Sequence, residues 1–131
     1  MPAYNFQSQF VPMILEGSKI HTIRKPRKRP TKVNDNLFLY VGQRTKQSML
    51  IARVRCIGVW PIEIDTVGFS ARLKDQHGCW NLLLPYELTS IVKADGFDNV
   101  FDFFDFFRQR YEHGNLMMEI IEWDRYAIQN L

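Results

Sequence analysis

The spacing of hydrophobic residues predicts one short helix near the start of the chain and two helices in its second half. Phe10 and Ile14 lie four residues apart behind Ser8, a suitable N-cap, and Gly17 follows where a helix would end. Pro12 fits within the first turn, where its missing N–H is not needed. Proline at position 85 and a capping Asp or Asn near position 98 predict the later helices, at 85–93 and 98–111.

Stretches rich in β-branched and aromatic residues predict six strands. They cover residues 20–24, 37–41, 50–60, 67–73, 79–84 and 117–123. Polar loops at 42–48 and 74–78 connect neighbouring strands in the manner of hairpins. The order of elements predicts a single α+β domain over residues 1–131, with one curled, mostly antiparallel sheet flanked by about three helices.

Aromatic residues crowd the predicted helix at 98–111 and the turn before it. These are Phe97, Phe101, Phe103, Phe104, Phe106, Phe107 and Tyr111. Four of them keep helical spacing, and the other three widen the stripe, so we expect the helix to pack on two sides. A stripe with this period is typical of a protein core rather than of a platform for stacking bases.

The composition is that of a folded globular protein, with 131 residues, 46% hydrophobic and 24% charged. No apolar run approaches the roughly 18 residues of a membrane span, and no export signal is visible, so we expect neither membrane association nor secretion. Cys56 and Cys79 form no CxxC pair, which favours a reducing cytoplasm. Three scattered histidines, His21, His77 and His113, indicate no metal, and no cofactor motif is present.

Charge is distributed unevenly along the chain. Residues 1–60 carry eleven Lys and Arg and two acids, a net charge of +9. Residues 61–131 carry six Lys and Arg and twelve acids, a net charge of −6. The segment 19–32 contains seven bases and no acid, and such a field attracts phosphate. The leading partner is therefore RNA or a nucleotide, bound in part by Lys25, Arg27, Lys28 and Arg29. A solvated basic loop that is neutralised by the acidic half is the alternative.

The segment Gly17-Ser-Lys-Ile-His-Thr-Ile-Arg24 carries the most chemistry. Gly17 lets the chain leave the first helix sharply, and an ammonium, a hydroxyl and a guanidinium follow at Lys19, Thr22 and Arg24. In an extended segment Thr22 and Arg24 project to the same side. They could donate to a phosphate or carbonyl oxygen, and a lysine of depressed pKa could act as a base for the threonine hydroxyl. The alternative is an ordinary strand that begins beside a solvated lysine.

This segment resembles the GxKxxTxR signature of ASCH domains, members of the PUA-like superfamily. Other positions are also similar to the family between residues 6 and 123. They are Phe10 and Ile14, the strand 37–42 with Arg44, Ala94-Asp-Gly-Phe97 before the aromatic helix, and Ile121 with Trp123. The resemblance implies a compact β-barrel flanked by helices and an association with RNA.

The resemblance also implies a site. In ASCH members that hydrolyse the amide of N4-acetylcytidine, the motif lysine and threonine act with an acidic residue from the later helical region. Lys19 and Thr22 match directly, and the acid falls at Asp95, where a glutamate is expected. Arg24 and its neighbours, with Arg44, would hold the anionic or carbonyl part of the ligand.

Three functions follow as hypotheses. The first is binding of RNA or a modified nucleoside in a basic cleft built on the segment 17–24. The second is an enzyme on that cleft, either an amidohydrolase of an N4-acylated cytidine or a ribonuclease. The third is a protein-interaction domain that uses the basic face.

Overall fold

The hydrophobic patterns fold into seven strands and three α-helices in a computed structural model, which describes residues 2–111 and 114–127. The strands are β1 Ala3–Phe6, β2 His21–Arg24, β3 Asn36–Val41, β4 Met49–Asp65, β5 Ser70–Lys74, β6 Trp80–Leu82 and β7 Asn115–Trp123. The helices are α1 Val11–Glu16, α2 Pro85–Ala94 and α3 Val100–Arg110. Short 3-10 turns occupy Ser8–Phe10 and Arg125–Ala127.

The first helix ends as expected at a residue that tolerates left-handed backbone. Pro12 lies in the first turn of α1, and Gly17 caps its end with φ of 88°. The chain then reverses over the helix end, where the backbone N–H of Lys19 donates to the Met13 carbonyl at 3.0 Å. This turn carries the chain from α1 directly into β2.

Strand β4 organises the mixed seven-stranded sheet. Its first part pairs antiparallel with β3, and its second part pairs antiparallel with both β5 and β7. The strand is longer than the sequence indicated, because the alternation of buried residues continues through Ile62 and Ile64. Pro61 is tolerated within it because the pairing with β5 begins only at Ile62, leaving one side of the proline without a partner strand.

Two strands flank an opening in the sheet. Strand β1, which the sequence analysis missed, pairs parallel with β3, while β2 pairs antiparallel with β7. Among the described residues no backbone ladder joins β1 to β2, so the sheet does not close and a barrel is not confirmed. Two arginine side chains span the opening instead. Arg24 donates to the Asn5 carbonyl at 2.6 Å, and Arg27 donates to the Ala3 carbonyl at 2.9 Å.

The apolar residues form two clusters, one on each part of the sheet. The first joins α1 and β1 to β3 and β4, and the second packs α2 and α3 against β4, β5 and β7. Phe103, Phe104 and Phe107 are fully buried in the second cluster, which confirms the core assignment for the middle of the aromatic stripe. Phe101 departs from it. It is 69% exposed, because it lies on the same face of α3 as the exposed residues Asp105 and Arg108.

Candidate functional site

A cleft lies at the opening between β1 and β2 and is covered by α3. The enclosed space between its walls is small, about 50 Å³, and it opens to solvent. Polar side chains in the lining come from Asn5, Gln7, Lys19, Thr22, Arg24, Asp95, Arg110 and Tyr111. Phenylalanines supply most of the apolar wall, namely Phe6, Phe10, Phe97, Phe106 and Phe107. Of the nine predicted site residues, the cleft lining therefore contains Lys19, Thr22, Arg24 and Asp95.

Lys19 and Asp95 form a buried pair at the inner end of the cleft. The Lys19 ammonium donates to the Asp95 carboxylate Oδ1 at 3.0 Å and to the Asp95 backbone carbonyl at 2.6 Å. Both residues are 3% exposed. Residue 95 caps the end of α2, and a hydrogen bond from the Ile20 N–H to the Ala94 carbonyl at 3.0 Å holds this end against the start of β2.

The backbone around Asp95 requires glycine at the next position. Gly96 has φ of 96°, and a Cβ atom there would lie 2.9 Å from the ring of Phe10. A larger residue would therefore have to displace the α1 region from the end of α2. The close approach at Gly96 brings Asp95 over Lys19.

The Lys19 amine lies in a poorly solvated position. Burial lowers its pKa below the ordinary value for lysine, although the Asp95 carboxylate acts in the opposite direction and Arg24 adds to the lowering. The Nζ atom lies 4.9 Å from the centre of the Phe10 ring and 5.5 Å from that of Phe6. A neutral amine would use its two hydrogens on the two Asp95 oxygens and keep its lone pair free to accept a proton.

Thr22 and Arg24 project to the same side of β2, as the sequence predicts. The Arg24 Nε donates to the Thr22 hydroxyl at 2.9 Å, and burial lowers the pKa of the guanidinium. The guanidinium also lies 5.0 Å from the centre of the Phe6 ring. Since the Thr22 oxygen accepts this bond, its own hydrogen remains available to a ligand in the cleft.

His21 is a feature of the site that the sequence analysis did not identify. It is 3% exposed, and its Nε2 lies 3.6 Å from Asp95 Oδ1 without a hydrogen-bond partner. Burial lowers the pKa of the imidazole to about 4, so the ring is neutral at pH 7. A lone histidine on a strand gives no sign of such a contact, which appears only when α2 is placed against β2.

Arg110 and Tyr111 are further cleft residues that were not predicted. Arg110 ends α3 with its guanidinium 4.7 Å from the centre of the Phe106 ring. Lys25 lies at the rim, where its Nζ is 5.1 Å from the centre of the Tyr111 ring. The only sequence signal for this rim is the pair of basic residues in the last turn of the aromatic helix.

The other predicted binding residues lie outside the cleft. Arg27 and Arg29 line a separate surface depression with Pro2 and Asn34 to Asn36, and Lys28 is exposed between them. Arg44 is exposed in the loop between β3 and β4, with φ of 70°. This loop is tied to the cleft wall by a hydrogen bond from the Gln43 N–H to the Asn5 side chain at 2.8 Å.

The described residues contain no group of three His, Cys, Asp or Glu side chains arranged to hold a metal ion. His113 lies outside them. No helix within residues 2–111 and 114–127 is long and apolar enough to cross a membrane.

No protein-family model, no curated protein and no solved structure matches the chain.

Proposed function

We propose that the cleft binds RNA or a modified nucleoside, on a PUA-like barrel fold of the ASCH type. The observation that carries this proposal is the combination of cationic and aromatic groups in the cleft. Lys19, Arg24 and Arg110 line it together with five phenylalanines and Tyr111. Aromatic walls accept the flat faces of bases, and cations accept phosphate or carbonyl oxygens.

Two arginines lie in a row along the edge of β1, and this arrangement favours a polymeric ligand over a single nucleoside. Arg24 and Arg27 donate to carbonyl groups of Asn5 and Ala3, which are two residues apart along the free edge of β1. Two residues of strand span about 6.7 Å, so the row leads from the cleft toward the depression beside Arg29. Phosphates of a single strand would follow this row while one base enters the cleft.

Hydrolysis of an N4-acylated cytidine is the second candidate. The Lys19–Asp95 pair favours it, because a buried amine of lowered pKa can serve as a general base. Thr22, with its hydroxyl polarised by Arg24, would be the nucleophile or the group that orients the substrate carbonyl. Asp95 would orient Lys19 and return a proton to the leaving amine.

The binding proposal is tested by fluorescence anisotropy with a labelled single-stranded RNA over a series of salt concentrations. We expect the triple variant Arg27→Ala, Lys28→Ala, Arg29→Ala to bind more weakly, with the salt slope reduced by roughly 0.7 for each lost phosphate contact. Unchanged affinity would contradict a role of Arg27, Lys28 and Arg29 in binding RNA.

The matched control removes three positive charges from the second half of the chain. These are Arg72, Lys74 and Lys93, all exposed. We expect this triple variant to bind RNA nearly as the wild type does, because none of the three side chains lines the cleft. Equal losses in both variants would show that only net charge matters. Cleavage of the RNA during the assay would instead favour the ribonuclease hypothesis, and absence of RNA binding would favour a protein partner.

A further inference from the structure

Two aromatic side chains of β3 lie on the face of the sheet that is turned away from the core. Leu37 and Leu39 of the same strand are fully buried in the first apolar cluster. Since neighbouring residues of a strand point to opposite faces, Phe38 and Tyr40 project from the other face. Both are only half-buried. Packing of the core therefore does not account for aromatic residues at these two positions.

The strand on one side of the rings offers little cover. In the parallel pairing of β1 with β3, Ala3 lies opposite Phe38 and Asn5 lies opposite Tyr40. Both neighbours have short side chains, and Asn5 is itself exposed. The β1 side of each ring is therefore open to a ligand.

The strand on the other side adds positive charge to the same face. Arg53 of β4 lies opposite Phe38, and Arg55 lies opposite Asn36. The Arg55 side chain is 55% exposed, and its Nη2 lies 3.7 Å from Asp124 Oδ2. A pair so open to solvent is weak, so Arg55 can exchange this partner for a phosphate. The four side chains form a surface that we call the aromatic–arginine face, namely Phe38, Tyr40, Arg53 and Arg55.

This face borders the surface depression that Arg27 and Arg29 line. Pro2 and Asn36 also line the depression. The Phe38 N–H donates to the Pro2 carbonyl at 3.0 Å, and Asn36 precedes Phe38 by two residues on the same side of β3. A chain that follows the arginines out of the cleft therefore arrives beside the first of the two rings.

We propose that the aromatic–arginine face is a second contact surface for single-stranded RNA, where successive bases stack on Phe38 and Tyr40. The Cα atoms of the two residues are about 6.7 Å apart along the strand. Aromatic residues on an open sheet stack two or three bases in RNA-recognition modules. Arg53 and Arg55 would contact the phosphates between the stacked bases. A second copy of the chain fits this face less well, because it would bring its own arginines against these two. The inference rests on the proposed function, since it extends the path of the same RNA strand.

The test is fluorescence anisotropy with a labelled single-stranded RNA dodecanucleotide, on variants whose folding is checked by urea unfolding. Phe38→Ile and Tyr40→Ile keep an apolar, strand-forming residue but remove the stacking surface. We expect each to weaken binding about tenfold, without a change in the salt slope, and the double variant to bind more weakly still. Arg53→Gln should instead reduce the salt slope by roughly 0.7. The matched control is Trp80→Ile on β6, at the opposite end of the sheet, where the ring also lies beside a lysine. It should bind as the wild type does.

Wild-type affinity in the folded Phe38→Ile and Tyr40→Ile variants would overturn the proposal. An equal loss in Trp80→Ile would overturn it as well, because any exposed aromatic ring would then suffice. A wild type that sediments as a dimer, beside a monomeric double variant, would assign the face to a second copy of the chain. Thr22→Val, measured with the same RNA, separates the two surfaces. Loss in the β3 variants alone supports the aromatic–arginine face and rejects the cleft, and loss in Thr22→Val alone rejects the face and leaves the cleft. Absence of RNA binding by the wild type overturns both.

Discussion

The buried imidazole of His21 predicts a specific loss of stability in mild acid. Its folded-state pKa is about 4 against 6.5 in the unfolded chain. Between these two values the unfolded state binds the proton more strongly, so stability is complete above pH 6.5 and falls as the pH approaches 4. A pKa shift of this size corresponds to about 3 kcal/mol, at 1.36 kcal/mol for each unit.

The assay is urea unfolding of the wild type and of His21→Gln at pH values from 7 to 4. Carboxylates that titrate in acid contribute to both proteins, and the difference between the two pH profiles isolates the imidazole. We expect the wild type to lose about 3 kcal/mol more than His21→Gln over this interval. Parallel profiles would refute the reasoning, because they would mean that His21 accepts a proton as readily in the folded chain as in the unfolded one. His77→Gln should follow the wild type.

Two further predictions concern stability. Asp95→Ala removes the partner of a buried ammonium and should cost about 3 to 5 kcal/mol at pH 7 by urea unfolding. The double variant with Lys19→Met should recover part of this loss, and simple additivity would contradict the pairing. Phe104→Ala empties a fully buried aromatic site and should cost about 3 to 5 kcal/mol. Its exposed counterpart Phe101→Ala should change stability by less than about 0.5 kcal/mol, and similar losses in both would disprove the different burial of the two rings.

Local patterns were sufficient to predict the helices and most strands. The end of α1 at Gly17, the start of α2 at Pro85 and the strand at 36–41 all follow from signals within a few residues. Strand β1 was missed because it has only four residues, and it is held by parallel pairing with β3, more than thirty positions away. The exposure of Phe101 was also not predictable, since a stripe of seven aromatics does not show which face of α3 is turned to solvent.

The candidate site was predictable where its residues are close in sequence. Thr22 and Arg24 share one side of β2 because alternate residues of a strand do so. Asp95 lies 76 positions from Lys19, and only the resemblance to ASCH domains connected the two. His21 and Arg110 were missed because their roles depend on where α2 and α3 meet the sheet. The separation of Arg27 and Arg29 from the cleft likewise depends on the path of the loop after β2.

The most direct measurement is calorimetric titration of the wild type and Thr22→Val with a single-stranded RNA that carries one N4-acetylcytidine, and with the same RNA unmodified. The hydroxyl of Thr22 is available to a ligand in the cleft because its oxygen accepts from Arg24. We expect the wild type to bind the acetylated strand more tightly, and Thr22→Val to lose about tenfold in affinity for it, which corresponds to one lost hydrogen bond. Affinity that is unchanged in Thr22→Val, or absent for both RNAs, would contradict a nucleoside-binding role for the cleft.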